Sequence, residues 1–108
     1  MIYQNKRLTY RQLVDLILKD AGKDWTIPAA EFLADWYTEE ESNWGIEYTL
    51  DLCSIRSTWM EFDDLAEARK NLGTLRTEDL NNYEFLEYLH DETIVFELSN
   101  GHLLIQNF

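Results

Sequence analysis

The stretch TIVFELSNGHLLIQNF, Thr93–Phe108, decides the reading of this chain. Two apolar-rich runs, Thr93–Leu98 and His102–Phe108, flank Asn100-Gly101, a dipeptide that readily takes the positive φ angles of a type I′ turn, so the segment predicts a β-hairpin. With Asn100 and Gly101 as the two central turn residues, Leu98 faces Leu103, Phe96 faces Ile105 and Ile94 faces Asn107, which creates one mostly apolar face. Such a face needs cover, and the residues upstream read as helices able to supply it.

Thr9 followed three residues later by Gln12 is the pattern of a capping box, and apolar residues then recur at Tyr10, Leu13, Val14, Ile17 and Ala21. A helix over 10–21 is predicted, closed by Gly22. A second helix starts near Pro28, which the first turn tolerates, and places Ala29, Phe32, Leu33 and Trp36 on one face. Between 46 and 52 the period changes to two, with Ile46, Tyr48, Leu50 and Leu52 alternating with Glu47, Thr49 and Asp51, the signature of a half-buried strand. Cys53–Ser57 breaks that alternation, and Thr58–Phe62 resumes it as a bulged continuation or as a partner strand. Asp63 or Asp64 caps a short helix with Leu65, Ala68 and Leu72 inward and Gly73 at its end, and Thr77 caps another through Leu80, Tyr83, Leu86 and Leu89 to His90. The class that follows is α+β: one domain, 1–108, with a small antiparallel sheet and C-terminal β-hairpin covered by about four helices.

A chain of 108 residues, 45% hydrophobic and with 14% aromatic residues, buries enough surface to fold without disulfides or metals, which excludes intrinsic disorder. The N-terminal MIYQNKRLTYRQ lacks the apolar core of a secretory signal, and no apolar run approaches the ~20 residues of a membrane span. With a single cysteine, Cys53, neither an internal disulfide nor a cysteine-rich zinc site can form, so the expected compartment is a reducing cytoplasm.

The residues that bear chemistry do not assemble into a catalytic motif. Glu61, Asp63, Asp64 and Glu67 cluster at a helix start, where capping and the helix dipole account for them. Glu67 is followed at two-residue spacing by Arg69 in a helical pattern, which fails the strand-borne Glu-x-Lys of a metal-dependent nuclease. His90 and His102 lack a second histidine at ligand spacing, and Cys53 lies in or beside a strand with no helix N-terminus to activate it. The expectation is a protein without enzymatic activity, metal or cofactor.

Charge is the most informative feature. Asp and Glu number 21 against nine Lys and Arg, a net charge of −12, yet residues 1–23 are net +3 and residues 24–108 are net −15. The stretch 31–51 holds Glu31, Asp35, Glu39, Glu40, Glu41, Glu47 and Asp51 with no Lys or Arg, and 77–108 holds seven more acidic residues, again with none. The run Glu39-Glu40-Glu41 falls where the second helix should end, and negative charge there opposes the helix dipole, so the helix stops early or the charge is retained for another purpose. Trp44 follows in a polar turn, where an indole flanked by carboxylates suits an interface anchor. The candidate partner-binding residues are therefore Glu31, Asp35, Glu39, Glu40, Glu41, Trp44 and Glu47.

The basic amphipathic start, the acidic helices, the motif Phe62-Asp63-Asp64-Leu65-Ala66-Glu67-Ala68 and the terminal strand Asn100-Gly101-His102-Leu103-Leu104-Ile105-Gln106-Asn107-Phe108 together resemble small acidic proteins of phages and mobile elements, among them anti-CRISPR and other DNA-mimic inhibitors. The resemblance spans the chain in element order and charge, and it carries over no individual functional residue. It implies inhibition of a basic nucleic-acid-processing enzyme, such as a CRISPR effector nuclease, inside a host cytoplasm. The physics is compatible: a groove of Lys and Arg accepts any fixed line of negative charge, whereas direct contact with nucleic acid or an anionic membrane is disfavoured by repulsion. The alternative is an interaction or adaptor module whose acidity serves solubility.

Overall fold

The computed structural model describes all 108 residues, which divide into two compact units, Met1–Arg56 and Ser57–Phe108. The class is α+β, with five helices and two small antiparallel sheets.

The first unit opens with a hairpin of β1 (Ile2–Tyr3) and β2 (Lys6–Arg7), in which Tyr3 pairs with Lys6 and Ile2 with Arg7. Gln4 and Asn5 make its two-residue turn, both at positive φ (51° and 64°), so the type I′ geometry expected at the C-terminus occurs here instead. Helix α1 (Tyr10–Leu18) begins with the expected capping box: Gln12 N–H donates to Thr9 Oγ1 at 3.2 Å, and Thr9 N–H to Gln12 Oε1 at 2.9 Å. It ends earlier than the expected 21, at Lys19. Ala21 is exposed and Gly22 lies in a following turn, because the Asp20 side chain accepts from Gly22 N–H and draws the chain out of the helix. Leu13, Val14 and Ile17 are buried and α1 packs on helix α2 (Ile27–Trp44), whose Ala29, Ala30 and Ala34 are fully buried. Three alanines permit close approach of the two helices. Leu33, not Phe32 or Trp36, supplies the large fully buried side chain of α2.

Two expectations fail in this unit. Helix α2 does not stop before Glu39; it continues through Trp44 and ends at Gly45, whose φ of 63° and whose N–H bond to the Glu41 carbonyl terminate it. The expected strand over 46–52 shrinks to one bridge, in which Ile2 N–H donates to the Tyr48 carbonyl at 2.8 Å and Leu50 N–H to the Ile2 carbonyl at 2.7 Å. Ile46 is exposed, bonded back to the helix end, and Leu52 already starts helix α3 (Leu52–Thr58), which carries the chain across the boundary between the units. An alternating run forms a strand only beside a partner edge, and the two-residue β1 offers almost none. Arg56 Nε reaches Asp20 Oδ2 at 3.0 Å, a charge contact that ties the turn after α1 to α3 around a buried carboxylate.

In the second unit, β3 (Trp59–Phe62) and β4 (Val95–Glu97) flank β5 (Leu103–Gln106) in the antiparallel order β3-β5-β4. Of the two readings of Thr58–Phe62, the partner strand is therefore the one realised, and its partner is the terminal strand. The hairpin exists, but its register differs by one residue: Val95 pairs with Ile105, Phe96 with Leu104 and Glu97 with Leu103. Gly101 N–H donates to the Leu98 carbonyl at 2.9 Å and Leu98 N–H to the His102 carbonyl at 2.8 Å, enclosing a three-residue loop. Only Gly101 has positive φ (85°) in that loop, while Asn100 uses its side-chain oxygen to accept from His102 N–H at 3.1 Å. This register aligns Val95, Leu103 and Ile105 with Met60 and Phe62 on one face. Phe85, Leu89 and Ala68 from helices α4 (Leu65–Leu72) and α5 (Asn82–Glu92) complete the core over it.

Helix α4 matches its expectation, with Asp64 accepting from Glu67 N–H at 2.8 Å and Gly73 at the far end. Thr77 does not cap α5. It is buried, and its hydroxyl both accepts from Thr74 N–H and donates to the Thr74 carbonyl, closing the 74–77 turn on itself. The guanidinium of Arg69 donates to the carbonyls of Thr77, Glu78 and Leu80, so the turn and the residues after it are held from α4. Asn81 and Glu84 then form the capping box of α5, and Tyr83, expected inward, is exposed.

The two hairpin geometries make different demands at Asn100. Gly101→Val should cost about 1–2 kcal/mol, because a β-branched residue resists the left-handed region, whereas Asn100→Ala should cost well under 1 kcal/mol, the worth of one exposed hydrogen bond. Urea denaturation of the two variants measures both, and equal losses would restore the two-residue turn.

Candidate acidic interaction surface

The seven candidate residues all lie in the first unit, and helical geometry separates them. At 3.6 residues per turn, Glu31, Asp35 and Glu39 stack on one side of α2 about 6 Å apart along the axis. All three are exposed, and none lies within ion-pair distance of a Lys or Arg. The phenol of Tyr10, on α1, stands beside this row. Burial, the negative charges of Asp35 and Glu31, and a hydrogen bond to Asp35 all raise its pKa.

Glu40, Glu41 and Trp44 belong to other sides of the helix, so the expected contiguous edge from Glu39 to Trp44 does not form. Glu41 turns inward. Its Oε1 accepts from the Met1 α-ammonium at 2.9 Å and its Oε2 from Tyr48 N–H at 2.8 Å, which joins the end of α2 to the start of the chain and to the bridge segment. Burial acts against its charge, but the bonds from the ammonium and from Tyr48, with the attraction of the ammonium and of Arg7, outweigh it and lower its pKa. The carboxylate that seemed to oppose the helix dipole is thus a structural anion with its own cation. Glu47 is also paired, with Arg7 Nε at 2.9 Å, although both side chains are largely in solvent and such a pair contributes little. Trp44 remains as expected in one respect, being 68% exposed, and it shares the side of α2 that carries Tyr37 and Glu40.

The second unit carries a comparable row. By residue count it is the more acidic, with eleven Asp and Glu against three Lys and Arg, where the first unit has ten against six. On α5, Glu84, Glu87 and Asp91 share an exposed side with Tyr83, whose phenol bonds Glu87 one turn on; that bond and the charge of Glu87 raise the tyrosine's pKa. An exposed aromatic flanked by carboxylates was the signal sought at Trp44, and Tyr83 carries it equally, hidden in the sequence because its spacing also suited a core position.

His102 bridges two carboxylates, with Nδ1 at 2.9 Å from Glu61 Oε2 and Nε2 at 3.7 Å from Asp63 Oδ1. Both ring nitrogens are thereby directed at carboxylates of β3 and the residue after it, an arrangement that fixes the hairpin tip against its neighbour strand. Cys53 is exposed and contacts the guanidinium of Arg56 at 2.9 Å. No three His, Cys, Asp or Glu side chains converge in a way that could hold a metal ion, and no helix is long and apolar enough to cross a membrane. Comparison with models of known protein families finds no match, and neither the curated proteins nor the solved structures yield a similar chain.

Glu41 generates a prediction with a defined sign. Because its folded pKa lies below the ordinary carboxylate value near 4.3, its contribution is complete above that value and is lost as pH falls through the lowered folded pKa. Glu41→Gln keeps the acceptor for Tyr48 N–H but removes the charge, and should cost about 1–2 kcal/mol at pH 7. The deficit relative to the parent should close between pH 5 and the acid-unfolding limit. Chemical denaturation at stepped pH reads it, and a deficit constant with pH would show that the ammonium contact is not a charged pair.

Proposed function

We propose that this protein is a non-enzymatic acidic inhibitor that binds a basic, nucleic-acid-processing protein in place of nucleic acid, as DNA-mimic and anti-CRISPR inhibitors do. One observation supports the reading above the others: carboxylates stand in rows on capped helices with no cation assigned to them, Glu31, Asp35 and Glu39 on α2 and Glu84, Glu87 and Asp91 on α5. Like charges one turn apart destabilise a helix by a few tenths of a kcal/mol each. A partner lined with Lys and Arg would relieve that repulsion on binding and would be drawn in over distances comparable to the Debye length. Because capped helices hold the charges in place, the complex avoids much of the ordering cost that a flexible acidic chain would carry.

A second reading, an adaptor that binds through apolar contacts, has Leu75 in its favour: 86% exposed, at the head of a turn held rigid by Thr77 and Arg69. Salt dependence separates the two. A mimic should capture DNA-binding proteins from a lysate at low salt, release them at high salt and compete with duplex DNA for them, while an adaptor should be indifferent to both salt and DNA.

The row on α2 supplies the sharper test. Changing Glu31, Asp35 and Glu39 together to Lys should leave the fold intact, since all three are surface positions, and should lower the association rate with the captured partner about tenfold or more at low salt. Trp44→Ala should instead raise the dissociation rate with little salt dependence. A triple-Lys protein that binds as fast as the parent at low salt would reduce the row to solvated surface.

A further inference from the structure

Two clefts open beside the C-terminal half of α2, and their charge states differ. The larger, about 510 Å³, is bordered by Glu41 and Glu47, each already holding an internal cation, the Met1 ammonium and Arg7. The smaller, about 330 Å³, is lined by Tyr37 and Glu40 from α2, by Tyr48 and Asp51 from the segment before α3, and by Ile55 of α3. No Lys or Arg lines it. Glu40 is half-buried with no cation within ion-pair distance, and Asp51 gives one oxygen, Oδ1, to Ser54 N–H at 3.1 Å, leaving Oδ2 for another donor.

From this we infer that the smaller cleft is a receptor for the guanidinium of an arginine side chain presented by the basic partner, an assignment that rests on the function proposed above and names the contact by which it becomes specific. The lining matches that group in three respects. Two carboxylates from separate elements can each accept from the planar fork of five N–H donors. The two tyrosines, both half-buried, supply ring faces on which a guanidinium stacks and an ammonium stacks less well. The volume lies at the small end of ligand sites, room for a side chain, and negative lining turns away phosphates and carboxylates. Trp44, one turn beyond Glu40 on the same side of α2, extends the apolar surface available to residues flanking the arginine.

The probe is an acetylated, amidated Gly-Arg-Gly peptide, titrated into the whole protein and followed by amide chemical shifts. Saturable shifts are expected at Tyr37, Glu40, Tyr48, Asp51 and Ser54. The isosteric citrulline peptide, which lacks the charge, should bind about tenfold more weakly, and the lysine peptide should fall between. The double variant Glu40→Gln, Asp51→Asn should lose about tenfold in affinity for the arginine peptide while keeping its melting temperature, since Asn still caps α3. Should that variant unfold, Tyr37→Leu serves in its place and should weaken arginine more than lysine. The assignment is overturned by absence of saturable shifts at the cleft, by equal binding of the citrulline peptide, or by unchanged arginine affinity in the folded variant. The peptide assay needs no partner: if it fails while the Glu31–Glu39 row still governs partner association, the cleft assignment falls and the inhibitor reading stands.

Discussion

Repulsion among 21 carboxylates served by only nine Lys and Arg conditions every other feature of the molecule. The fold answers by assigning its few cations to places where a buried oxygen would otherwise be left alone. Arg69 gathers the carbonyls of the segment before α5, Arg56 meets the buried carboxylate of Asp20, and the Met1 ammonium meets Glu41. A buried charge without its partner costs several kcal/mol, whereas an exposed one costs a few tenths. The cations therefore go inward, and the carboxylates left over are those on outer helix faces, where water and salt screen them. The acidic rows on α2 and α5 follow from that hierarchy as much as from any demand for a negative surface, and a basic partner finds them already unneutralised.

Helices were legible where their signals are local. The Thr9–Gln12 box, Pro28 in a first turn, Asp64 and Gly73 each act within four residues of themselves, and each occupies the expected position. The error at Thr77 is of the same local kind. Thr77 precedes an apolar pattern but has Leu80 three residues on, which cannot return a bond, while Asn81 has Glu84, the complete box, and it is Asn81 that caps. The hydroxyl of Thr77 found a nearer partner in the backbone of Thr74.

What escaped the sequence depends on residues far apart. The register of the C-terminal hairpin is one step from the expected one because β5 pairs on both edges, and its alignment must suit Met60 and Phe62 as well as Val95. A two-residue turn satisfies β4 and β5 alone; a three-residue loop with Gly101 at positive φ satisfies both pairings. The N-terminal strands, two residues each, carry no periodicity to read, and Gln4 at positive φ has no sequence signature. Likewise the alternation over 46–52 was genuine, but a strand needs a neighbour, and only Ile2 was offered.

The acidic candidate residues were legible as a set and not as a surface. Composition located the cation-free stretch, yet consecutive residues on a helix diverge by 100°, so Glu39, Glu40 and Glu41 point to solvent, to a cleft and to the Met1 ammonium respectively. This divergence bears on what kind of mimic the protein can be. A row at four-residue spacing offers one charge per ~6 Å of axis, while a single strand of duplex DNA offers one per ~3.4 Å, so α2 alone carries roughly half the linear density. At that density long-range attraction still speeds encounter, but it distinguishes poorly among basic grooves, since each of them attracts any anion. Discrimination has to come from short-range contacts that a phosphate backbone lacks. The side of α2 turned away from the row supplies them: a half-buried carboxylate, two tyrosines and an exposed tryptophan. One helix thus presents a steering face and a recognising face, and the full-length continuation of α2 through Trp44, against the dipole, is what places both on the same rigid element.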